Sequence, residues 1–278
     1  MGTKDHYVAS LKASILKLCK TSPYIIDISH NISPFNTKQA AYLIKSSIRD
    51  FPDGSVHIIG VDAEPHVDFS NSHNNALPTI MLYKSQYFIG TDNGVFSLIC
   101  EENQAEGIWE LDDVLSKPEL MNFPTKNILV PAACNLINGL LPQDFASEKE
   151  KIRRAVSVNP VIDGLVLKGN VIHIDHYGNL ITNITSKEFE RVGKGNPFII
   201  YFRQKEYYID LISTGYGEVP PGEKVAIFND AGLLEIAINK GAPENGGGAD
   251  RLLGMRLNDI VRVEFLPRGS KENINSLF

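Results

Sequence analysis

The sequence predicts an α/β N-terminal domain joined to an all-β, barrel-like C-terminal domain. Three observations carry that reading. The first half alternates helical periodicity with short apolar runs, the pattern of β–α–β units. From Ile162 onward the chain looks all-β, with strand-like runs separated by turn signals roughly every ten residues. At 278 residues it is long enough for two cores.

Val8, Leu11, Ile15 and Leu18 recur at helical spacing behind Asp5, read as the N-cap, so the chain enters an amphipathic helix with no strand before it. Tyr24 to Ser29 reads as a short apolar strand. Asn36 caps a helix through about Arg49, the Pro52-Asp53-Gly54 turn ends it, and Val56 to Asp62 is a second apolar strand. This alternation predicts a parallel sheet with ligands at the carboxyl ends of its strands.

Residues Ala63 to Leu77, rich in Asn, Ser and His, read as a site-lining loop. Ile80 to Tyr83 and Tyr87 to Gly90 read as paired strands, followed by the turn Asp92-Asn93-Gly94 and a helix from about Val95. A further helix spans Lys126 to Leu140, entered through Phe123-Pro124-Thr125. The charged stretch Glu148 to Arg154 marks a change of character, and the boundary falls near Asn159-Pro160, dividing residues 1–158 from 159–278. Beyond it, Leu165 to Ile174, Leu180 to Ile184, Phe198 to Phe202, Tyr207 to Leu211, Lys224 to Asn229, Leu233 to Asn239 and Asp259 to Phe265 read as strands of a barrel or sandwich. Asn245 to Gly248 reads as a brief flexible loop.

A net charge of −6 without Lys/Arg runs argues against nucleic acid or an anionic membrane as partner, which leaves a small molecule. Cys19, Cys100 and Cys134 are scattered and lack metal-ligand spacing, so they read as reduced thiols of a cytoplasmic protein. No apolar run approaches the roughly 18 residues of a membrane span. The sequence carries no Walker loop, GxGxxG after a strand, HExxH or nucleophile elbow.

The stretch IDHYGNLITNI, Ile174 to Ile184, sets Asp175 and Asn179 on a tight turn around Gly178. Either the pair reads a ligand, or it satisfies only its own turn. Asp62 ends an apolar strand where α/β sheets hold catalytic groups. His66 and His73 lie in the loop that follows, where an imidazole could relay a proton. Phe35, Phe123 and Tyr216 sit in loops beside Pro or Gly, a place that suits a flat heterocycle or a cation better than a core.

Together these residues resemble the S-adenosylmethionine (SAM) hydroxide adenosyltransferases, the SAM hydrolases related to the fluorinase and chlorinase enzymes. The resemblance rests on GTKDHYV at Gly2, DISHNISPFN at Asp27, the run ending in Asp62, TDNGVFSL at Thr91, FPTKNILVPAA at Phe123, IDHYGNLITNI at Ile174 and NDAGLLEIAINKG at Asn229, in that order. It implies an α/β domain and a β-barrel domain, assembled as a homotrimer with SAM at subunit interfaces and needing no metal or other cofactor. The implied reaction is attack of water or hydroxide on the ribose C5′, forming adenosine and methionine.

By the same resemblance Asp62 acts on the water, and without the family's Arg it acts alone or is helped by His66, His73 or Lys84; Thr125 falls where the fluorinase places a serine beside its halide. Phe35 and Phe123 flank the reacting end, Asp175 and Asn179 contact SAM, Tyr216 stacks on adenine, and Asn239 to Ala242, including Gly241, read the adenine edge. The family's first strand, with its ribose-binding acid two residues before the glycine matching Gly2, has no counterpart in a chain starting at Met1. Phe69 stands at the family's Arg spacing and Pro124 at its His position. An inactive SAM- or adenosine-binding protein and a SAM-dependent halogenase are the alternatives to hydrolysis.

Overall fold

The computed structural model describes residues 1–68, 70, 75–100, 104–111, 114, 116–156 and 159–267. The chain divides into two compact units, Met1–Ser157 and Val158–Phe278.

Unit 1 opens with α1 (Tyr7–Leu18), whose Leu11 and Ile15 are buried. Its N-cap is His6, without a side-chain bond, rather than Asp5. The stretch from Tyr24 to Ser29 is not a strand: it forms no ladder, although Ile25 and Ile28 pack inward while Tyr24 and Ile26 face solvent. Alternating apolar residues signal an extended chain, but a strand also needs a neighbour within hydrogen-bonding reach. Across from this segment, a cavity of about 430 Å³ runs along β1 (Val56–Ile59), lined by Leu11, Ile15, Ile25, Ile28, Ile58 and Gly60.

Asn36 caps α2 (Thr37–Ser47) as its residue type dictates, its Oδ1 accepting from the Gln39 N–H at 3.0 Å. The sheet of unit 1 has the order β1, β3 (Gln86–Thr91), β2 (Pro78–Tyr83), β4 (Gly107–Glu110), β5 (Ser147–Glu148). It is mixed rather than parallel: only β1 and β3 run parallel, and the other described pairs are antiparallel. Lys84 and Ser85, at φ 51° and 56°, join β2 to β3 as a two-residue turn, too short for the crossover a parallel pair requires. After α3 (Val95–Ile99), the helix entered through Pro124 begins as a π-turn over Thr125–Leu129 and continues as α4 (Val130–Ile137). Pro131 has no N–H to give the regular ladder, and the Val130 N–H instead reaches the Thr125 carbonyl five residues back.

Unit 2 is the barrel-like part. Its antiparallel strands follow the order β10 (Gln204–Ile209), β9 (Phe198–Phe202), β13 (Ile260–Phe265), β7 (Val166–Ile174), β8 (Leu180–Thr185), β12 (Leu233–Ile238), β11 (Lys224–Phe228), with β6 (Val161–Asp163) added on β7. β10 comes back near β11, so the sheet nearly closes. The register slips at three places in this sheet, in β10 between Gln204 and Tyr208, in β12 between Leu233 and Glu235, and in β7 between Val171 and His173, irregularities of the kind that bend strands. Gly169 lies just before the last of these, where an added Cβ would sit 2.5 Å from Ile184.

One helix of this unit escapes the all-β reading. Ser186–Gly193, α5, starts from a capping box in which Thr185 and Glu188 each bond the other's backbone N–H. The T-x-x-E pattern was present in the sequence. Phe189 of α5 packs edge-on against Phe198, Phe228 and Phe265, with centroids 4.9 to 5.3 Å away. A four-residue helix, α6 (Ala249–Leu252), follows the glycine loop.

Candidate functional site

In unit 1 two of the candidate residues, Asp62 and Thr125, lie at the carboxyl end of β1, Asp62 on the loop after the strand and Thr125 on the π-turn packed against Gly60. The strand stops at Ile59, so Asp62 is a loop residue rather than the last residue of a strand. It is exposed and held at φ 50°, a left-handed conformation that Asp tolerates better than most side chains. Asn93 holds it there: its Nδ2 donates to the Asp62 carbonyl at 2.8 Å, and its Oδ1 accepts from the Val95 N–H. Asp92-Asn93-Gly94 is thus turn chemistry, as its residue types suggest, but it is turn chemistry that positions Asp62.

Asp92 itself is fully buried and accepts from Lys149 Nζ at 2.9 Å and from the Arg153 N–H. Burial alone would lower the Lys149 pKa, but the bonds to Glu110 and Asp92 outweigh it and raise it. The charged stretch after Glu148 is therefore fastened to unit 1 rather than free.

Thr125 is buried, with its side chain against Gly60, where an added Cβ would lie 3.0 Å from it. Phe123 meets Tyr7 edge-on at 5.7 Å. Phe35 is 76% exposed at φ 63°, a conformation unusual for an aromatic residue. His66 is exposed, its backbone bridged to Ala76 in both directions. Lys84 is a hairpin-turn residue lying over the Tyr83 ring, and His73 and Phe69 fall outside the described residues.

The cavity along β1 has Thr125, Asp27 and His30 among its lining residues, but not Asp62, Phe35 or Phe123. Lys12 bonds Asp27 at 2.6 Å and His30 lies 3.1 Å away, and both hold the Asp27 carboxyl below its usual range, Lys12 foremost. His57, within β1, shares a 2.6 Å hydrogen bond with Gln86 and stacks on Phe88, and burial lowers its pKa. Cys134 is pushed up to about 12 by burial and then by its neighbour Cys19.

In unit 2 the turn after β7 is closed on itself. Asp175 Oδ1 accepts from the N–H groups of Tyr177 and Asn179 at 2.9 Å, and its Oδ2 accepts from Asn179 Nδ2 at 3.0 Å. The acid and amide are brought together, but by satisfying their own turn. Asp175 lies just past β7 rather than within a strand. Gly178 stands at φ 82°, and an added Cβ would meet Asp250 Oδ1 at 2.3 Å.

The loop from Asn245 to Gly248 is not a loose connector. A Cβ on Gly248 would lie 2.1 Å from the Tyr177 carbonyl, and the Gly247 N–H donates to the Ala242 carbonyl at 3.0 Å. These glycines seat the stretch from Asn239 to Ala242 beside the turn from Asp175 to Asn179. Gly241 is required there, since a Cβ would crowd Ile238 at 2.8 Å. Asn239 Nδ2 donates to the Val219 carbonyl at 2.6 Å, which ties the same stretch to the short helix bearing Tyr216. Gly248 and Asp250 escaped the sequence reading, although three successive glycines after a strand are a signal of close backbone approach.

A mixed α/β unit with an acid past a strand end, followed by an antiparallel barrel whose turns collect an acid, two amides and an aromatic ring, has the make-up of a small-molecule enzyme or binding protein. Models of the SAM hydroxide adenosyltransferase N-terminal and C-terminal domains match residues 1–146 and 169–262. The chain belongs to that family. An (R)-S-adenosyl-L-methionine hydrolase of Methanocaldococcus jannaschii is 31% identical over 242 residues, which cover 85% of this chain and 84% of the relative. A hydrolase of the same name from Thermus thermophilus is 26% identical over 92% of this chain and 96% of its own length. A fluorinase of an Actinoplanes species is 24% identical over 86% and 88%. The crystal structure of an uncharacterized conserved protein from Thermotoga maritima superposes with a TM-score of 0.78 at 27% identity, covering 94% of this chain and 96% of its own.

Proposed function

We propose that this chain hydrolyses S-adenosylmethionine to adenosine and methionine. The observation that carries the reading is family membership with relatives named (R)-S-adenosyl-L-methionine hydrolase over most of both chains. Water attacks the ribose C5′ in line with the C5′–S bond. The bond's electron pair passes to sulfur, which leaves as the neutral thioether of methionine, and the water's protons are shared between the adenosine hydroxyl and a base. Asp62 is that base, its carboxylate exposed on a backbone pinned by Asn93.

His66 relays the proton in this reading, while Phe35 and Phe123 offer ring faces to the sulfonium. Asp175 and Asn179 hold the ligand's charged end, Tyr216 stacks on adenine, and Asn239, Gly241 and Ala242 read its edge. Thr125 lies near the nucleophile. We further propose that the two units are domains dividing at residues 158 and 159, that no metal or other cofactor takes part, and that the protein works as a cytoplasmic homotrimer without a nucleic-acid or membrane partner. Among the described residues, no helix is long and apolar enough to cross a membrane.

A second reading, SAM-dependent halogenation, is favoured by the fluorinase relatives and by the buried Thr125 hydroxyl. Incubation with SAM, with and without halide, followed by chromatography of the nucleosides, separates the two. Adenosine in both conditions is expected. A product that requires halide would replace the proposal, and no product with SAM still bound would leave only a binding protein.

A further inference from the structure

Glu235 is a carboxylate in the middle of a sheet, 4% exposed, paired across β12 with Ile227 of β11 and Ile181 of β8. Burying such a group costs stability unless its oxygens are bonded. Here each oxygen has a donor. Asn229 Nδ2 donates to Oε2 at 3.2 Å, and the Tyr216 hydroxyl donates to Oε1 at 2.6 Å.

The direction of this chain of bonds is set at its far end. Asn229 Oδ1 accepts from the N–H groups of Ala231 and Leu233, both at 3.1 Å, so its amide nitrogen must point at Glu235. The carboxylate accepts there and accepts again from Tyr216, which leaves the phenol only the role of donor. Gly215 and Gly217 flank Tyr216 with open space around both, and the residue is 41% exposed.

We propose that Glu235 is a positioning residue that holds the Tyr216 ring in the orientation in which its face stacks a purine nucleoside. The inference rests on the adenine role proposed for Tyr216. With the hydroxyl anchored inward, the ring presents its face to the ligand without spending rotamer freedom when the ligand binds. The buried charge is the cost of that rigidity.

Calorimetric titration of the full chain with adenosine tests the pair. Tyr216→Ala should weaken binding most. Glu235→Leu and Tyr216→Phe, which delete the same bond from opposite ends, should each weaken it about tenfold, and the double variant no further than either alone. Glu235→Gln should stay within about threefold of the parent, since its amide can donate to the phenol oxygen while its carbonyl accepts from Asn229.

If Tyr216→Ala binds adenosine as tightly as the parent, the adenine role of Tyr216 falls, and this inference with it. If Tyr216→Ala weakens binding but Tyr216→Phe and folded Glu235→Leu do not, the ring stacks without help from Glu235 and only the present inference is overturned. Should Glu235→Leu not fold, Tyr216→Phe decides alone, because it removes the bond from the exposed end.

Discussion

In unit 1, Phe35 and Asp62 both sit in left-handed backbone conformations at the surface. In unit 2, Asp175 and Asn179 bond each other within their turn, Asn239 bonds the Val219 carbonyl and Tyr216 bonds Glu235 of β12. Holding a non-glycine residue left-handed costs of order 1–2 kcal/mol, and both units carry such residues among their candidate segments, Lys240 standing at φ 56° within the stretch from Asn239 to Ala242 of unit 2. What sets unit 2 apart is that its candidate polar side chains are bonded within the protein, which fixes their orientation. The packing differs in the same sense. Unit 2 has one large core inside a nearly closed sheet and a small second cluster of Val225, Ile227 and Ala237, whereas unit 1 divides its core among three clusters and leaves a cavity along the β1 edge. A sheet closed on itself fixes its turns from both sides, and an open edge leaves its loops to be held by single contacts such as Asn93 to Asp62.

The comparison breaks first at Asp62. Asp62→Asn should lower turnover of SAM by at least about 100-fold while leaving SAM affinity within about twofold, because the residue is assigned to the chemistry and not to the binding unit. Unchanged turnover, measured alongside calorimetry, would take Asp62 out of the mechanism and erase the division of labour.

Next in size is the buried acid that anchors unit 1. Asp92→Ala removes the partner of Lys149 and of the Arg153 N–H, and should cost about 3 kcal/mol in chemical denaturation. A cost below about 0.5 kcal/mol would mean that the segment from Lys149 to Arg153 is held by other contacts.

Unit 2 is probed by its glycines. Gly248→Ala drives a methyl into the Tyr177 carbonyl and should cost about 1–3 kcal/mol, with loss of SAM binding as the turn from Asp175 to Asn179 shifts. Gly215→Ala, in open space and an extended conformation, should cost less than about 0.5 kcal/mol. Equal effects at the two sites would show that close approach is not what holds the turn from Asp175 to Asn179.

The smallest effect is a pH dependence shared by both units. Burial lowers the folded-state pKa of His57 in unit 1 and of His173 in unit 2, the Asp175 charge opposing the shift only in the second. The unfolded chain then binds more protons than the folded one between those lowered values and the ordinary histidine pKa near 6.5. Stability should therefore be full above that value and fall as pH drops through the window. Melting between pH 8 and pH 5 should show the fall, and His57→Leu should flatten part of it. An equally steep profile in that variant would assign the dependence elsewhere.

Much of the architecture was legible from residue patterns because helices and hairpins are local objects. Asn36 capped its helix as its side chain allows, and the β7–β8 hairpin formed around Gly178 as the IDHYGN pattern implies. Thr185 and Glu188 announced α5 in the same local terms, although the surrounding strand pattern concealed them. The candidate residues Asp175 and Asn179 were legible for the same reason, since their contact is made within five residues of chain.

By itself, then, the sequence determined most of the helices and hairpins, the change from α/β to barrel-like β, the turn that joins Asp175 to Asn179 and the family. Only the tertiary structure decided that unit 1's sheet is mixed, that Tyr24 to Ser29 stays unpaired beside a cavity, that the glycine loop clamps the Asp175 turn, and that Glu235 reaches Tyr216. Each of those depends on atoms distant in sequence or on exact backbone angles such as those of Lys84 and Ser85. Side-chain patterning records which face of a segment is buried, not which neighbour comes to cover it.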